Sequence, residues 1–238
     1  MKAANILIAF ALLSAAMLAA AGFGARFGVW NPGFGFALIP WSLYAGLVTA
    51  ALALIALLIP RVRAGYVPRF VIALALGAGV AYLPWQWTQT VRAVPPIHDI
   101  TTDTANPPAF VAVIPLRAGA SVSTIYPGSE TAAKQRDAYP DIRPLELAVP
   151  PAVAFARALD AAKSTGWEID AADAANGRIE ATATTPWFGF RDDIVVRVVP
   201  TATGSRVDVR SLSRVGKGDF GVNANRVRAY LAKVADAR

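Results

Sequence analysis

The sequence holds no cysteine and a single histidine, His98, in 238 residues. Without cysteine there is no disulfide, no thiolate nucleophile and no thiolate metal ligand. Any base of the Ser-His-Asp kind must therefore be His98. No G-x-S-x-G elbow accompanies it. One imidazole with scattered carboxylates also falls below the usual ligand density of a zinc site, so neither a metal nor a cofactor is expected. Acidic residues are missing from the first 98 positions: all sixteen Asp and Glu lie at or after Asp99. The same stretch carries six basic residues, Lys2, Arg26, Arg61, Arg63, Arg69 and Arg92. Of the net charge of +7, six units fall there and the rest of the chain is nearly neutral. A basic chain can signal nucleic-acid binding. Here the excess flanks apolar runs, where it sets topology instead, and no nucleic-acid partner is expected.

Three runs have almost no polarity: Asn5 to Gly24, Phe36 to Ile59, and Phe70 to about Trp87. A helix needs about 20 apolar residues to cross a hydrocarbon core. Trp41, Tyr44, Tyr82, Trp85 and Trp87 fall near run ends, where amphipathic rings suit the interface. No Asp, Glu, Lys, Arg or His lies inside a run. Such groups usually mark ion and proton paths, so transport by this chain alone is disfavoured. Gly46, Ala50, Gly77 and Gly79 offer small surfaces for close helix approach. Lys2 and the loop with Arg61, Arg63 and Arg69 share one side, against Arg26 and Arg92 on the other. The excess of positive charge places the N-terminus in the cytoplasm and the C-terminal part in the periplasm of a bacterial inner membrane. The first run also has features of a cleaved signal peptide, although it exceeds the usual apolar length of about 7–15 residues. The expected partners are the lipid bilayer and other membrane proteins met through the spans.

Residues 1–88 thus read as a three-span anchor. Residues 89–110 read as a strap or linker, because Pro95, Pro96, Pro107 and Pro108 oppose regular helix. Residues 111–238 read as an α+β domain. A short helix is expected over Ser129 to Ala138 and an extended piece near Leu145 to Val149. Pro150-Pro151 opens a helix with Ala152, Phe155, Ala156, Leu159 and Ala162 inward, closed by Gly166. Alternation over 167–171, the Asn176-Gly177 turn signal and Arg178 to Thr185 make one hairpin. Ile194–Val199 and Arg206–Ser213 make a second around Thr203-Gly204-Ser205. A last helix runs from about Val222 to Ala235, with Ala224, Val227, Leu231 and Val234 inward. The expected fold is helix, four-stranded antiparallel sheet, helix, behind three transmembrane helices.

Gly216-Lys217-Gly218-Asp219-Phe220-Gly221 matches G-x-G-x-x-G. The dinucleotide fingerprint needs a parallel βαβ unit with an acid about 20 residues on, and only one helix follows here. An anion at that helix start, assisted by Lys217 and Gly218, is open on dipole grounds. Asp219, however, stands where a cap belongs. The charged alternation is richer. If the second hairpin pairs Arg197 with Asp208, then Val195 faces Arg210 and Asp193 faces Leu212. One reading is a solvated, salt-bridged outer face. The other is a polar groove covered by the strap. Ser211 and Ser213 point to the opposite side, among Val207 and Val209.

The blocks "PPIHDITTDTANPPAF", "YPDI", "GW", "DDIVVRV" and "RVDVRSLSRVGKGDFGVNANRV" resemble the domain-of-unknown-function family numbered fourteen ninety-nine, over about Pro95 to Val234. The resemblance implies apolar spans ahead of the domain and no assigned activity. It marks His98-Asp99, Asp192-Asp193 and Asp208 to Arg226 as hallmark positions. The candidate binding set is therefore His98, Asp99, Asp103, Asp193, Arg197, Asp208, Arg210, Arg214, Asn223 and Arg226, expected to meet under the strap. The expected function is a membrane-anchored, periplasm-facing binding or accessory module. The rivals are an envelope hydrolase using His98, or a structural subunit of a larger membrane complex.

Overall fold

Four helices open the chain in a computed structural model that describes residues 2–237: α1 (Lys2–Arg26), α2 (Pro32–Leu58), the single-turn α3 (Pro60–Arg63) and α4 (Val67–Ala93). Of Lys2 only the backbone is described. α1, α2 and α4 have 25, 27 and 27 residues and are long and apolar enough to cross a membrane. Asn31 caps α2, its Oδ1 accepting from the Phe34 amide at 2.9 Å, with Pro32 in the first turn. Gly46 and Gly77 set the α2–α4 approach. A Cβ on either would lie 2.8 Å from backbone of the other helix. Gly79 takes no part in that contact, since a Cβ there would meet nothing within 4 Å. The hydroxyls of Ser14, Ser42, Thr49 and Thr88 each donate to a carbonyl of their own helix, as an apolar solvent demands.

These helices form one compact unit, through Ala93, together with Pro186–Gly189. No alternation or helical period in those four residues announces this place. Trp187 Nε1 donates to the Ala19 carbonyl at 3.1 Å, and its ring lies on the bare Cα of Gly22. Phe188 stacks on Phe36 with centroids 4.6 Å apart, and Trp87 lies 5.5 Å from Trp187. Arg26 Nη1 donates to the Pro186 carbonyl at 2.8 Å.

The second unit holds Val94–Thr185 and Phe190–Arg238. Its elements are β1 (Asp99–Thr101), a 3-10 turn (Ile114–Arg117), α5 (Ser129–Ala138), β2 (Leu145–Leu147), α6 (Pro151–Ser164), β3 (Glu168–Asp173), β4 (Arg178–Thr184), β5 (Arg191–Thr201), β6 (Gly204–Ser213) and α7 (Val222–Asp236). The sheet has six antiparallel strands, not four, in the order β1-β6-β5-β4-β3, with β2 also on β6. Two additions come from three-residue strands that pair with either half of β6, too short to leave an alternation in sequence. The central register is the expected one: Arg197 pairs with Asp208, Val195 with Arg210, and Asp193 with Leu212.

Other boundaries shift for physical reasons. α4 runs to Ala93, past the expected end near residue 88, because 89–93 contain no proline and the first breaker is Pro95. α6 buries Ala154, Phe155, Ala158, Ala161 and Ala162 while Ala152 and Ala156 stay exposed. Alanines on every side of that helix left the rotation open by about one residue. In α7 the large inward side chain is Tyr230, fully buried, with Leu231 only partly so. Its hydroxyl donates to the Ala158 carbonyl at 2.8 Å, and Trp167 stacks on its ring.

Strand alternation gives the sheet two unlike faces. Ile179, Ile194, Val196, Val198, Val207 and Val209 pack against α6 and α7. Glu180, Thr182, Asp193, Val195, Asp208, Arg210 and Leu212 point the other way, and each is at most 3% exposed. Residues 102–126, which carry the strap past its expected end at residue 110, cover this second face.

Candidate functional site

The charged face is not solvated, which corrects the first of the two readings of its alternation. Asp99, Asp193, Asp208 and Glu180 are each no more than 1% exposed. A buried carboxylate persists only when paired and hydrogen-bonded, and each of these is. The covering segment supplies some of the partners and the strands the rest.

Arg210 is the central clamp. Its Nε and Nη2 donate to the two oxygens of Asp99 at 2.9 and 2.7 Å. Nη1 and Nη2 also reach the carbonyls of Pro108 and Thr124, at 3.2 and 2.9 Å. The guanidinium plane lies between Phe110 and Tyr126, 4.9 and 5.4 Å from their ring centroids. Burial, with the Asp99 charge adding, pushes the Tyr126 phenol up to about 12. Phe110 and Val113 then seal Val195 and Leu212 into a small apolar kernel under the strap.

Around this clamp three further carboxylates are tied. Asp193 accepts from Arg214 at 2.7 Å and from Arg117. Those arginines continue to the carbonyls of Leu116 and Val122. Glu180 accepts from the amides of Val111 and Val113, both at 3.0 Å, and pairs with Arg178. Asp208 accepts from Arg197 at 2.8 Å, Arg206 at 3.0 Å and the Thr102 hydroxyl at 3.2 Å. At the rim Asp103 bridges Arg197 and Arg206 at 3.2 and 2.7 Å. Its other oxygen accepts from the amides of Ala105 and Asn106. Burial opposes ionisation of Asp103, but those amides and arginines outweigh it and hold the carboxyl below its usual range. Asp170, hydrogen-bonded to Thr182, is pushed up by burial, with Glu168 and Asp193 adding.

Seven of the ten candidate side chains thus meet under or at the edge of the strap: Asp99, Asp103, Asp193, Arg197, Asp208, Arg210 and Arg214. Asn223 and Arg226 do not. They sit on the helix-covered face, where Asn223 Oδ1 accepts from Ser211 Oγ at 2.7 Å and Arg226 Nη2 donates to Asp192 at 2.7 Å. Adjacent Asp192 and Asp193 are therefore split by the pleat, one to each face. His98 acts through its backbone: its carbonyl accepts from the Ser213 amide and from Asn223 Nδ2, both at 3.1 Å. Its Nδ1 is buried without a hydrogen-bond partner. Lys217 is exposed. The donors at the start of α7 are already taken by Asp219, which accepts from the amides of Gly221 and Asn223 at 3.0 and 2.6 Å. Burial pushes the Asp219 carboxyl up despite these bonds. Among the described residues there is no cluster of three or more His, Cys, Asp or Glu able to hold a metal.

Sequence reasoning missed Arg117, Gln135, Glu180, Thr182 and Arg206. Glu180 and Thr182 carried a signal, because they alternate on the strand next to Asp193. Gln135 did not. It stands on α5 and pairs with both backbone groups of Thr101, at 3.0 and 2.6 Å, as a neighbouring strand would. The model of a family described as protein of unknown function (DUF1499) matches residues 99–234. No curated protein and no solved structure matches the chain.

Proposed function

The chain belongs to the DUF1499 family, and from that premise we propose that it is a membrane-anchored accessory module of the bacterial inner membrane. Its N-terminus lies in the cytoplasm and its sheet domain in the periplasm. The domain acts as a docking or bracing part, not a reaction centre. One observation carries this reading: the carboxylates and guanidiniums of the charged face satisfy one another. Asp99, Asp193 and Asp208 hold their strap and their strands together with all their strong acceptors in use. Catalytic acids and bases need a pKa near working pH and a route to substrate. Carboxylates that are at most 1% exposed and already paired offer no such route. The orientation draws on the six basic residues of the first 98, four on one side of the spans and two on the other.

Fusions to alkaline phosphatase and to a cytoplasm-only fluorescent protein after residue 238 test the orientation. Phosphatase activity with a dark fluorophore is the expected pair, and the reverse pair removes the periplasmic assignment. A hydrolytic role for His98 has one observation in its favour, the buried Nδ1 without a partner. His98→Ala decides it. The accessory reading expects unchanged phenotype and unchanged stability within about 0.5 kcal/mol, and a lost phenotype in a folded variant reverses the choice.

A further inference from the structure

The helical unit contains a groove of about 900 Å³ between α1, α2 and α4. That volume is within the ligand-pocket range of roughly 300–1,000 Å³. Leu18, Ile39, Leu76, Gly79 and Leu83 line it, and Trp187 stands at its end. The polar atoms on its lining side chains are those of Gln86, the Tyr82 hydroxyl and the indole nitrogens of Trp87 and Trp187. Gly79 is exposed, and a Cβ there would meet open space, so it is the thin wall of the groove and not a helix contact.

Three features give the occupant. Apart from Trp187, the groove is lined by helices long and apolar enough to cross a membrane, so its neighbour is hydrocarbon. It follows α4 from Ala75 to Trp87, a rise of about 18 Å. Half of a hydrocarbon core is about 15 Å, so the groove spans one leaflet, from mid-helix to the aromatic end. Its lining is almost wholly apolar, and flexible carbon chains, which pack at about 4 Å from their neighbours, follow such an irregular wall.

We propose that this groove is a lipid site that holds the acyl chains of one bilayer phospholipid. The chains lie along α4 with the head group at the Gln86–Trp87 end. Trp187 closes that end: its Nε1 is anchored on Ala19 and its ring sits on Gly22, so it walls the groove instead of swinging over it. A lipid on the convex surface touches one helix, whereas a chain in the groove touches three and gains the packing contacts that drive association in a bilayer.

The proposal rests on the membrane-anchored reading, and the two fail separately. Full-length protein that leaves the membrane in alkaline carbonate removes the anchored reading and this site with it. The test of the site uses full-length protein in vesicles of phosphatidylcholine carrying a photoreactive diazirine at mid-chain. After illumination, adducts are mapped by mass spectrometry. Adducts concentrated on residues 75–87 and 15–19, and falling about tenfold there in Gly79→Leu, support it. Adducts on the lipid-facing Leu12 and Leu13 serve as the internal reference and stay constant. If Gly79→Leu does not insert, Ala75→Leu narrows the same groove and takes its place. Adducts spread evenly over all exposed helix faces, or unchanged by either leucine, overturn the proposal. So does displacement of the phospholipid label by an equimolar polyprenyl phosphate, which would make the groove an isoprenoid site.

Discussion

The two faces of one sheet are covered by opposite chemistry. Ile194, Val196, Val207 and Val209 meet α6 and α7 through hydrocarbon. Asp193, Asp208 and Arg210, their neighbours in sequence, meet Arg117, Thr102 and Asp99 through charge and hydrogen bonds. Both faces are equally dry. The apolar face gains from burial itself, about 25 cal/mol per Å², and tolerates small errors of fit. The charged face gains nothing from burial and loses several kcal/mol per ion unless each ion is matched. What that face provides is register. A slip of one residue would set Asp193 against the valines of the helix face and strand its arginines. The helical unit follows the apolar rule throughout, with Gly46 and Gly77 in contact and hydroxyls turned onto their own helices.

The comparison breaks most visibly at Asp193. Asp193→Ala leaves Arg117 and Arg214 buried side by side, and about 3–5 kcal/mol is expected to be lost. Urea unfolding of the full chain in mild detergent, followed by near-ultraviolet dichroism, measures it. Replacing the trio together, with Asp193→Leu, Arg117→Met and Arg214→Met, is expected to recover most of that loss. A single variant as stable as the parent would show that the ions are not matched to one another.

Ile194→Ala is the control one residue away on the other face. It removes a fully buried side chain from between the sheet and its helices, at a cost of about 2–5 kcal/mol. Its loss is expected to be the same from pH 5 to 8, because Ile194 belongs to the apolar cluster of the helix face and to none of the ion pairs. A pH-dependent Ile194→Ala would mean that the two faces are coupled through the strands.

Much of this contrast is legible in the sequence. The period-two alternation on 191–199 and 206–214 gave the register of Arg197 with Asp208 and placed Ser211 and Ser213 on the side away from Arg210. What alternation cannot say is what lies over a face, so the charged side was open between water and strap. Burial of Asp208 depends on Thr102, 106 residues away, and no local pattern reports a contact at that range. The same blindness joined Asn223 and Arg226 to the wrong face, since Asp192 and Asp193 read as one acidic pair until the pleat separates them. β1 was missed because three residues make no period, and β2 was read as an extended piece without its place on β6. The place of Trp187 among the helices was missed because a loop of four residues carries no pattern at all.

Arg210→Lys tests the shape of the charged contact apart from its charge. Lysine keeps the charge but not the plane. It cannot bond both Asp99 oxygens, reach Pro108 and Thr124, and lie flat between Phe110 and Tyr126. A loss of about 1–3 kcal/mol is expected, concentrated in the strap. Amide hydrogen exchange at Val111 and Val113, both held by Glu180, is expected to speed up, while the amides paired between β5 and β6 stay protected. Equal acceleration in both places would make the strap part of one cooperative core and not a separate cover.

The smallest expected effect is at the rim and comes with a sign. The folded Asp103 carboxyl is held below its ordinary pKa by amides and arginines that outweigh its burial. In acid the native state therefore binds fewer protons there than the unfolded chain does. Its contribution is complete above the unfolded value of about 3.9 and is lost as the pH falls through the lower folded value. Asp103→Asn keeps an oxygen for the amides of Ala105 and Asn106 but gives up the charge facing Arg197 and Arg206. A cost of roughly 0.2–1 kcal/mol at neutral pH and a flatter stability curve below pH 4 are expected. Asp219 runs the other way. Burial raises its pKa, so its ionisation costs stability, and that cost is relieved as the pH falls through the raised value. Acid titration of unfolding in the parent and in Asp103→Asn separates the two. An identical acid slope in both proteins would mean that the rim carboxylate does not hold the strap, and that its grip lies wholly in the buried pairs of Asp99, Asp193 and Asp208.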